Sequence, residues 1–236
     1  MRPFWPSGIV WSIAAIFPIA MTTVQGQTAR ARYPAMSPLA RYMMHPDAEV
    51  ALARSAAPRS ISGKAEVLVL GPKGLQVAVK GTNGWACLVE RSWNAAVDFP
   101  EFWNPKIRAP ICMNPAAARS VLPVVDFWAK MVLAGKSRPQ MAAEAKAAFD
   151  TKKLPALEPG AMSFMMSRHG YLADAVPTHF HPHVMFFEPL GEGSQWAANL
   201  PGSPVFAGDD EVNRMAILPV PVPRWSDGTL DADPAK

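Results

Sequence analysis

The sequence lacks the short motifs that mark several large enzyme classes. It contains no phosphate-binding loop of the GxxxxGKS/T type, no GxGxxG turn after a strand, no GxSxG nucleophile elbow and no HExxH zinc motif. These absences remove support for nucleotide-dependent chemistry and for standard serine hydrolases. Blocks of lysine and arginine are also missing, and the net charge at pH 7 is +4. The composition therefore gives no support for a nucleic-acid partner.

Cysteine is scarce, because the chain has only Cys87 and Cys112 and these lack the CxxC spacing of common metal sites. A single intramolecular pairing is available, and an oxidising compartment would favour it as a disulfide. Two buried free thiols are the alternative. We expect a bonded pair, whose Cα atoms must then lie closer than about 7 Å.

Long apolar runs are absent after the first 26 residues. Residues 1–26 combine a positive Arg2, an apolar core over 9–21 and a small residue, Gly26, which is typical of a secretory signal peptide. An uncleaved anchor is the alternative, but it needs about 20 apolar residues, and Pro18 interrupts a shorter run. We therefore predict cleavage near Gly26, no membrane span in the mature protein, and a periplasmic or secreted location.

Proline is abundant, with 25 residues of this type, and most of them separate apolar segments. This distribution predicts many rigid loops rather than a disordered chain. After the signal peptide we predict a flexible leader over 27–46, a single α+β domain over 47–228 and a disordered tail over 229–236. The sequence gives no indication of the oligomeric state.

The clearest secondary structure is a set of three short segments rich in β-branched and apolar residues. Turns containing glycine separate them, and the second turn includes the Asn83-Gly84 pair, a strong hairpin signal. We therefore predict an antiparallel β-meander over about 65–91. Its strands are 65–70, 75–80 and 85–91.

Helix signals follow this meander. Asn114 and Pro115 suit the N-cap and first position of a helix that breaks near Pro123. The capping box over 137–140 starts another helix. We predict two or three helices over about 115–153, besides a short helix over 47–56.

Further antiparallel strands are predicted over about 161–222. Residues 161–166 form one strand, and the histidine-rich stretch 178–188 should be its neighbour. A last strand over 214–222 contains prolines, which confine it to an edge of the sheet.

The segment 92–114 is rich in Trp, Phe and Pro and shows little periodicity. A long aromatic loop inside a compact domain is often functional or packs as a cover over the core. Four charged residues lie in or next to this segment and are candidates to join a site. They are Glu90, Arg91, Asp98 and Glu101.

Three of the five histidines lie in one short stretch, at His179, His181 and His183. In a strand, residues two apart share a face about 7 Å apart, so two imidazoles can converge on one ion. The outer pair would be about 13 Å apart, so three ligands need a bend, which Pro182 favours. Histidine is also the commonest metal ligand.

The spacing from His181 and His183 to Glu188 resembles the first metal motif of the cupin superfamily, HxH followed by Glu. The resemblance implies a divalent metal held inside a small β-barrel. The chain departs from the family pattern because no histidine follows His183. Glu188 also reaches the face of His183 only through a β-bulge.

Four stretches are similar to a family of uncharacterised exported bacterial proteins. The resemblance covers most of residues 47–228 and implies export, with no activity attached. The stretches are Val79–Trp93, Phe102–Lys106, Ala109–Cys112 and Leu200–Val205.

Three functions follow from these patterns. The first is a His-based site for Zn, Fe, Mn, Ni or Cu in an exported domain. Such a site could serve an enzyme that acts on a small molecule. The ligands would be His181 and His183, completed by His179 or Glu188.

The second function is copper carriage aided by methionines, which otherwise fill the core. These are Met43, Met44, Met162, Met165, Met166 and Met185. The third is an envelope binding or structural protein whose histidines face solvent.

Overall fold

A mixed, mostly antiparallel β-sheet carries helices on both faces in a computed structural model that describes residues 33–174 and 180–232. The predicted signal peptide, residues 1–26, and His179 lie outside the described residues. Within the described parts, no helix is both long and apolar enough to cross a membrane. The α+β class predicted from the sequence is confirmed.

The described residues form eight strands and five α-helices. The strands are β1 (Glu66–Gly71), β2 (Gly74–Val79), β3 (Ala86–Glu90), β4 (Ala109–Met113), β5 (Met162–Met165), β6 (His183–Glu188), β7 (Gly208–Asp210) and β8 (Met215–Pro221). Their order across the sheet is β2-β1-β3-β4-β5-β6-β8-β7. The helices are α1 (Pro46–Arg54), α2 (Arg59–Ser62), α3 (Pro115–Ser120), α4 (Leu122–Leu133) and α5 (Arg138–Asp150).

The predicted meander is wrong in its third strand. Strands β1 and β2 form an antiparallel hairpin, but β3 pairs in parallel with the other side of β1. The connecting loop crosses the start of β1, where the Glu66 amide donates to the Trp85 carbonyl at 2.8 Å. A Cβ at Gly81 would lie 2.2 Å from the Glu66 nitrogen. Glycine therefore permits a crossing that the Asn83-Gly84 hairpin signal did not predict.

The sheet also contains strands that the sequence did not predict. Strand β4 lies inside the predicted aromatic loop, and β7 was not expected. Strand β8 was predicted at an edge but lies between β6 and β7. Its prolines are tolerated because β7 pairs only with residues 215–217, so Pro219 and Pro221 lie beyond the end of β7.

Helix α1 packs on one face of the sheet through small side chains. Ala53, Ala56 and Ala57 lie in an apolar cluster with Cys87 and Cys112. The two cysteines are directly opposite each other in the antiparallel β3–β4 pair. They form the predicted disulfide, with a Cα–Cα distance of 4.0 Å.

Helices α3, α4 and α5 belong to the other side of the sheet. Apolar side chains of α4 pack against Leu88 and Ile111 of the sheet and against the aromatic segment that includes Trp93 and Phe102. The predicted capping box at the start of α5 is confirmed, since Ser137 and Gln140 satisfy each other's backbone amides.

Part of the predicted leader belongs to this core, and the start of the predicted tail forms backbone hydrogen bonds. Tyr42, predicted to lie in a flexible leader, is fully buried, and its hydroxyl donates to the Trp103 carbonyl at 2.9 Å. In the tail, Thr229 accepts at its carbonyl from the Trp225 amide at 2.9 Å. Tyr42 is therefore packed as part of the domain.

Candidate functional site

A cavity of about 360 Å³ lies between the sheet and α4. Its wall on the sheet side comes from β3, β4, β5, β6 and β8, and its opposite wall from α4 and the aromatic segment. Most of the wall is apolar. The apolar lining residues include Ile107, Ile111, Val124, Val125, Met165, Met185, Phe187 and Ile217.

Alternation along β3 determines which side chains face this cavity. Ala86 and Leu88 pack in the cluster on the α4 side, whereas Cys87 and Val89 pack in the cluster on the α1 side. Because residues two apart share a face, Glu90 follows Leu88 to the α4 side, where it lines the cavity.

Glu90 is the carboxyl group of greatest chemical interest in this wall. Burial in apolar surroundings raises its pKa to about 8. No side chain or backbone group within the described residues forms an ion pair or a hydrogen bond with it. At neutral pH the group is therefore mostly a protonated acid, able to donate or accept a hydrogen bond.

The next residue, Arg91, directs its guanidinium away from Glu90. Its Nη2 atom donates to Glu49 Oε1 at 2.8 Å, in an ion pair whose side chains are only 2% and 1% exposed. Its Nε atom donates to the Tyr42 carbonyl at 2.8 Å. Burial lowers the pKa of Arg91, and Glu49 opposes that effect. This cation is therefore committed to α1 and does not neutralise Glu90.

Polar groups next to Glu90 extend this corner of the cavity. Ser92 and Asn94 lie in a 3₁₀ turn that lines the cavity. The Asn94 side-chain oxygen accepts from the Arg91 amide at 3.0 Å. Within the described residues, the Ser92 hydroxyl and the Asn94 Nδ2 group are sealed from solvent without a hydrogen-bond partner. Such unpaired groups are uncommon in folded proteins and mark a site of interest.

A second polar wall is internally satisfied. Asp210 accepts from the Asn213 amide at 3.1 Å and from Asn213 Nδ2 at 2.7 Å. The Asn213 side-chain oxygen accepts from Trp128 Nε1 at 2.8 Å. These hydrogen bonds hold the Trp128 ring in the wall of the cavity. The sequence did not predict this group, because Trp128 is far from Asp210 and Asn213 along the chain.

The candidates near the aromatic segment separate into different places. Glu90 and Arg91 line the cavity, whereas Asp98 is exposed. Glu101 accepts from the Asp174 amide at 2.8 Å and from Asn104 at 2.7 Å. Glu101 therefore belongs to a buried polar cluster and is not among the described lining residues of the cavity.

The predicted histidine strand is shorter than expected. Strand β6 begins at His183 and pairs with β5, as predicted for this stretch, whereas His181 precedes the strand. His183 is half-buried, and its Nδ1 atom donates to the His181 carbonyl at 2.9 Å. His181 Nδ1 shares a hydrogen bond with Asp231 at 2.6 Å. Burial lowers the pKa of His183.

Glu188 and His183 lie on opposite faces of β6. The β6–β8 register runs from His183 to Glu188 without a shift, so the β-bulge needed to bring them together is absent from this strand. Within the described residues, no group of three His, Cys, Asp or Glu side chains is arranged to hold a metal ion. Because His179 lies outside them, the metal site stays a prediction.

The methionines of the copper hypothesis mostly contribute to packing where they are described. Met165 and Met185 line the cavity, and no histidine is among its described lining residues. These thioethers are therefore part of an apolar wall. Within the described lining, Glu90 is the ionisable group with a strongly raised pKa.

Comparisons of this chain with protein-family models, with curated proteins and with solved structures found no match. The described residues therefore show an α+β domain with a mostly apolar cavity between the sheet and α4 and a half-buried acid in the wall of that cavity.

Proposed function

We propose that this protein is an exported binding protein whose cavity takes up a small, mainly apolar molecule with one polar group directed at Glu90. The observation that carries the proposal is a half-buried acid in the wall of a mostly apolar cavity, with no partner within the described residues. Ligand sites are commonly concave and apolar, with a few polar groups that fix the orientation of the ligand. A strongly perturbed pKa in such a cavity is a further mark of a functional site.

The size of the cavity also supports binding. Protein interiors are close-packed, and few voids are larger than a water molecule. A volume of about 360 Å³ falls at the lower end of the range for small-molecule sites. Export is supported by the signal-like start of the sequence and by the disulfide Cys87–Cys112.

Titration with N-phenyl-1-naphthylamine, a neutral apolar dye, tests this function. The wild-type protein should bind the dye saturably, with a rise in dye fluorescence. Met185→Trp adds bulk in the cavity wall and should weaken binding at least tenfold. Val77→Trp adds a tryptophan on an edge strand where Val77 is 51% exposed, and it should leave binding unchanged.

Melting temperatures of both variants show whether they remain folded. Equal dye affinity in the folded Met185→Trp and Val77→Trp proteins would place the dye outside the cavity and contradict the proposal.

A His-based metal site is the second candidate function. In metal sites, a ligating histidine usually has its other ring nitrogen bound to a carboxylate or a carbonyl. His181 and His183 each have Nδ1 engaged in this way, by Asp231 and by the His181 carbonyl. This arrangement favours a transition metal bound through Nε2, for catalysis or for copper carriage.

Elemental analysis of the dialysed protein tests the metal site. Near-stoichiometric Zn or Fe that is lost in His181→Ala supports a metal centre, and copper gained only under reduction supports carriage. His169→Ala is the matched control, because His169 is exposed on a turn. Wild-type protein without metal, or unchanged metal content in His181→Ala, would contradict this candidate.

A further inference from the structure

We propose that the ligand of the cavity is a lipophilic organic cation, whose ammonium group pairs with the Glu90 carboxylate among aromatic rings. This inference rests on the proposed binding function and specifies the chemical class of the ligand. The charges, the rings and the hydrogen bonds of the cavity wall each support it.

The charged groups of the wall favour a positive ligand. Glu90, Asp210 and Arg91 line the cavity. The guanidinium of Arg91 is held by Glu49 and by the Tyr42 carbonyl, so its charge is already compensated within the protein. When Glu90 is ionised, the described lining contains a carboxylate that Arg91 does not compensate. A ligand anion would face this carboxylate without a compensating cation from the described lining.

Of the two carboxyl groups, Glu90 is the one available to a ligand. Asp210 already accepts hydrogen bonds from the backbone amide and the side chain of Asn213. Glu90 has no such donor within the described residues. An ammonium group brought by the ligand would supply the missing partner, and a buried charge is tolerated only when it is paired.

Three aromatic side chains add a second attraction for a cation. Phe99, Trp128 and Phe187 all line the cavity. The faces of aromatic rings attract ammonium groups, most strongly when water is excluded, and tryptophan is the best of these rings. The Trp128 ring is also fixed by its hydrogen bond to Asn213, so it is preorganised for this contact. A neutral apolar ligand would gain only its burial from the same wall.

Pairing with an ammonium requires the ionised form of Glu90, so binding of a permanent cation should release a proton. Burial raises the pKa of Glu90 to about 8. Below that pH, each unit of pH changes the ionised fraction about tenfold. The affinity for a permanent cation should therefore rise roughly tenfold from pH 6 to pH 7 and level off above pH 8. Asp210 and Arg91 are the other charged groups lining the cavity.

A pair of molecules of the same shape tests the inference. Benzyltrimethylammonium carries a permanent positive charge, and neopentylbenzene is its neutral carbon counterpart. Their affinities are measured by displacement of the bound dye at pH 6, 7 and 8. The ammonium should gain affinity with pH as stated, whereas neopentylbenzene should show the same affinity throughout.

Variants locate the effect at one carboxyl group. Glu90→Gln keeps the shape of the side chain but cannot ionise. It should lower the affinity for benzyltrimethylammonium at least tenfold at pH 8, remove the pH dependence and retain neopentylbenzene. Glu211→Gln makes the same change at an exposed position and should behave as the wild type.

The outcomes separate the ligand class from the binding function. Neopentylbenzene that binds as tightly as the ammonium at every pH would overturn the inference and leave cavity binding in place. A pH dependence that survives in Glu90→Gln would also overturn it. Failure of both molecules and of the dye would instead overturn the binding function itself.

Discussion

At the scale of single residues, Glu90 and Arg91 show how alternation gives two neighbours opposite environments. Arg91 lies beside Glu49 in a buried ion pair with an N–O distance of 2.8 Å. Glu90 faces the apolar cavity, and burial alone raises its pKa. Breaking a buried pair leaves an uncompensated charge, so Arg91 is structural, whereas Glu90 is free to respond to a ligand.

The raised pKa of Glu90 predicts a loss of stability as pH rises. The folded protein binds this proton more tightly than the unfolded chain, whose pKa is near 4.5. The free energy of unfolding should therefore fall between about pH 5 and pH 8, by a total on the order of 3 to 5 kcal/mol from this group. Urea denaturation at pH 5, 7 and 9 measures the change.

Glu90→Gln is the comparison that isolates this group, because other residues titrate in both proteins. The difference in unfolding free energy between wild type and Glu90→Gln should shift in favour of the variant as pH rises. A difference that stays constant from pH 5 to pH 9 would contradict the raised pKa.

Sequence reasoning identified Glu90 as one of four charged candidates but could not select it. To choose Glu90 among the charged residues, one must know which of the others already have partners. Those partners are Glu49, Asp174 and Asn213, which lie far from Glu90 along the chain. Glu101, for example, is bonded to Asp174. Histidine spacing was the stronger sequence signal, but the strand begins only at His183.

At the scale of elements, the β2–β3 connection depends on one glycine. A Cβ at Gly81 would lie 2.2 Å from the Glu66 nitrogen and 2.8 Å from the Ala65 carbonyl carbon, which are backbone atoms and cannot yield easily. Gly81→Ala should therefore destabilise the protein by about 3 kcal/mol or more. Chemical denaturation with a folded-state check by circular dichroism measures the loss.

Gly208→Ala is the matched control, because nothing lies within 4 Å of a Cβ at Gly208. It should change the unfolding free energy by less than about 0.5 kcal/mol. Equal stabilities of the two variants would be inconsistent with the crossing of β1 by this loop.

Proline explains why the sequence analysis missed β4 and predicted β8 at an edge of the sheet. Pro110 and Pro219 each lack an amide hydrogen, which normally excludes proline from the interior of a sheet. Strand β5 pairs only with Cys112 and Met113 of β4, so Pro110 lies beyond that pairing. The rule therefore holds locally, since a strand can be interior over part of its length and an edge over the rest.

Helix caps depend on residues that are adjacent along the chain, and they were predicted well.

At the scale of the whole molecule, the disulfide Cys87–Cys112 joins the neighbouring strands β3 and β4 beneath α1. It closes a loop with a sequence separation of 25 residues. The chain-entropy model gives a stabilisation of about 3.5 kcal/mol for such a loop. Reduction of the wild-type protein should lower its unfolding free energy by about this amount, as measured by guanidinium denaturation.

The double variant Cys87→Ala/Cys112→Ala should have lower stability than the oxidised wild type and should not respond to reductant. Wild-type protein whose stability is the same with and without reductant would contradict a stabilising role for this bond.

The cavity is the part of the domain where side chains do not fill the space between the sheet and the helices. It lies between the sheet and α4, and apolar walls that face unfilled space lack the packing contacts that a ligand would supply. A crystal structure of the protein soaked with neopentylbenzene tests the central claim most directly. The account predicts density for the molecule between Trp128, Met185 and Glu90, and none there in Met185→Trp. An empty or water-filled cavity in soaked wild-type crystals would contradict it.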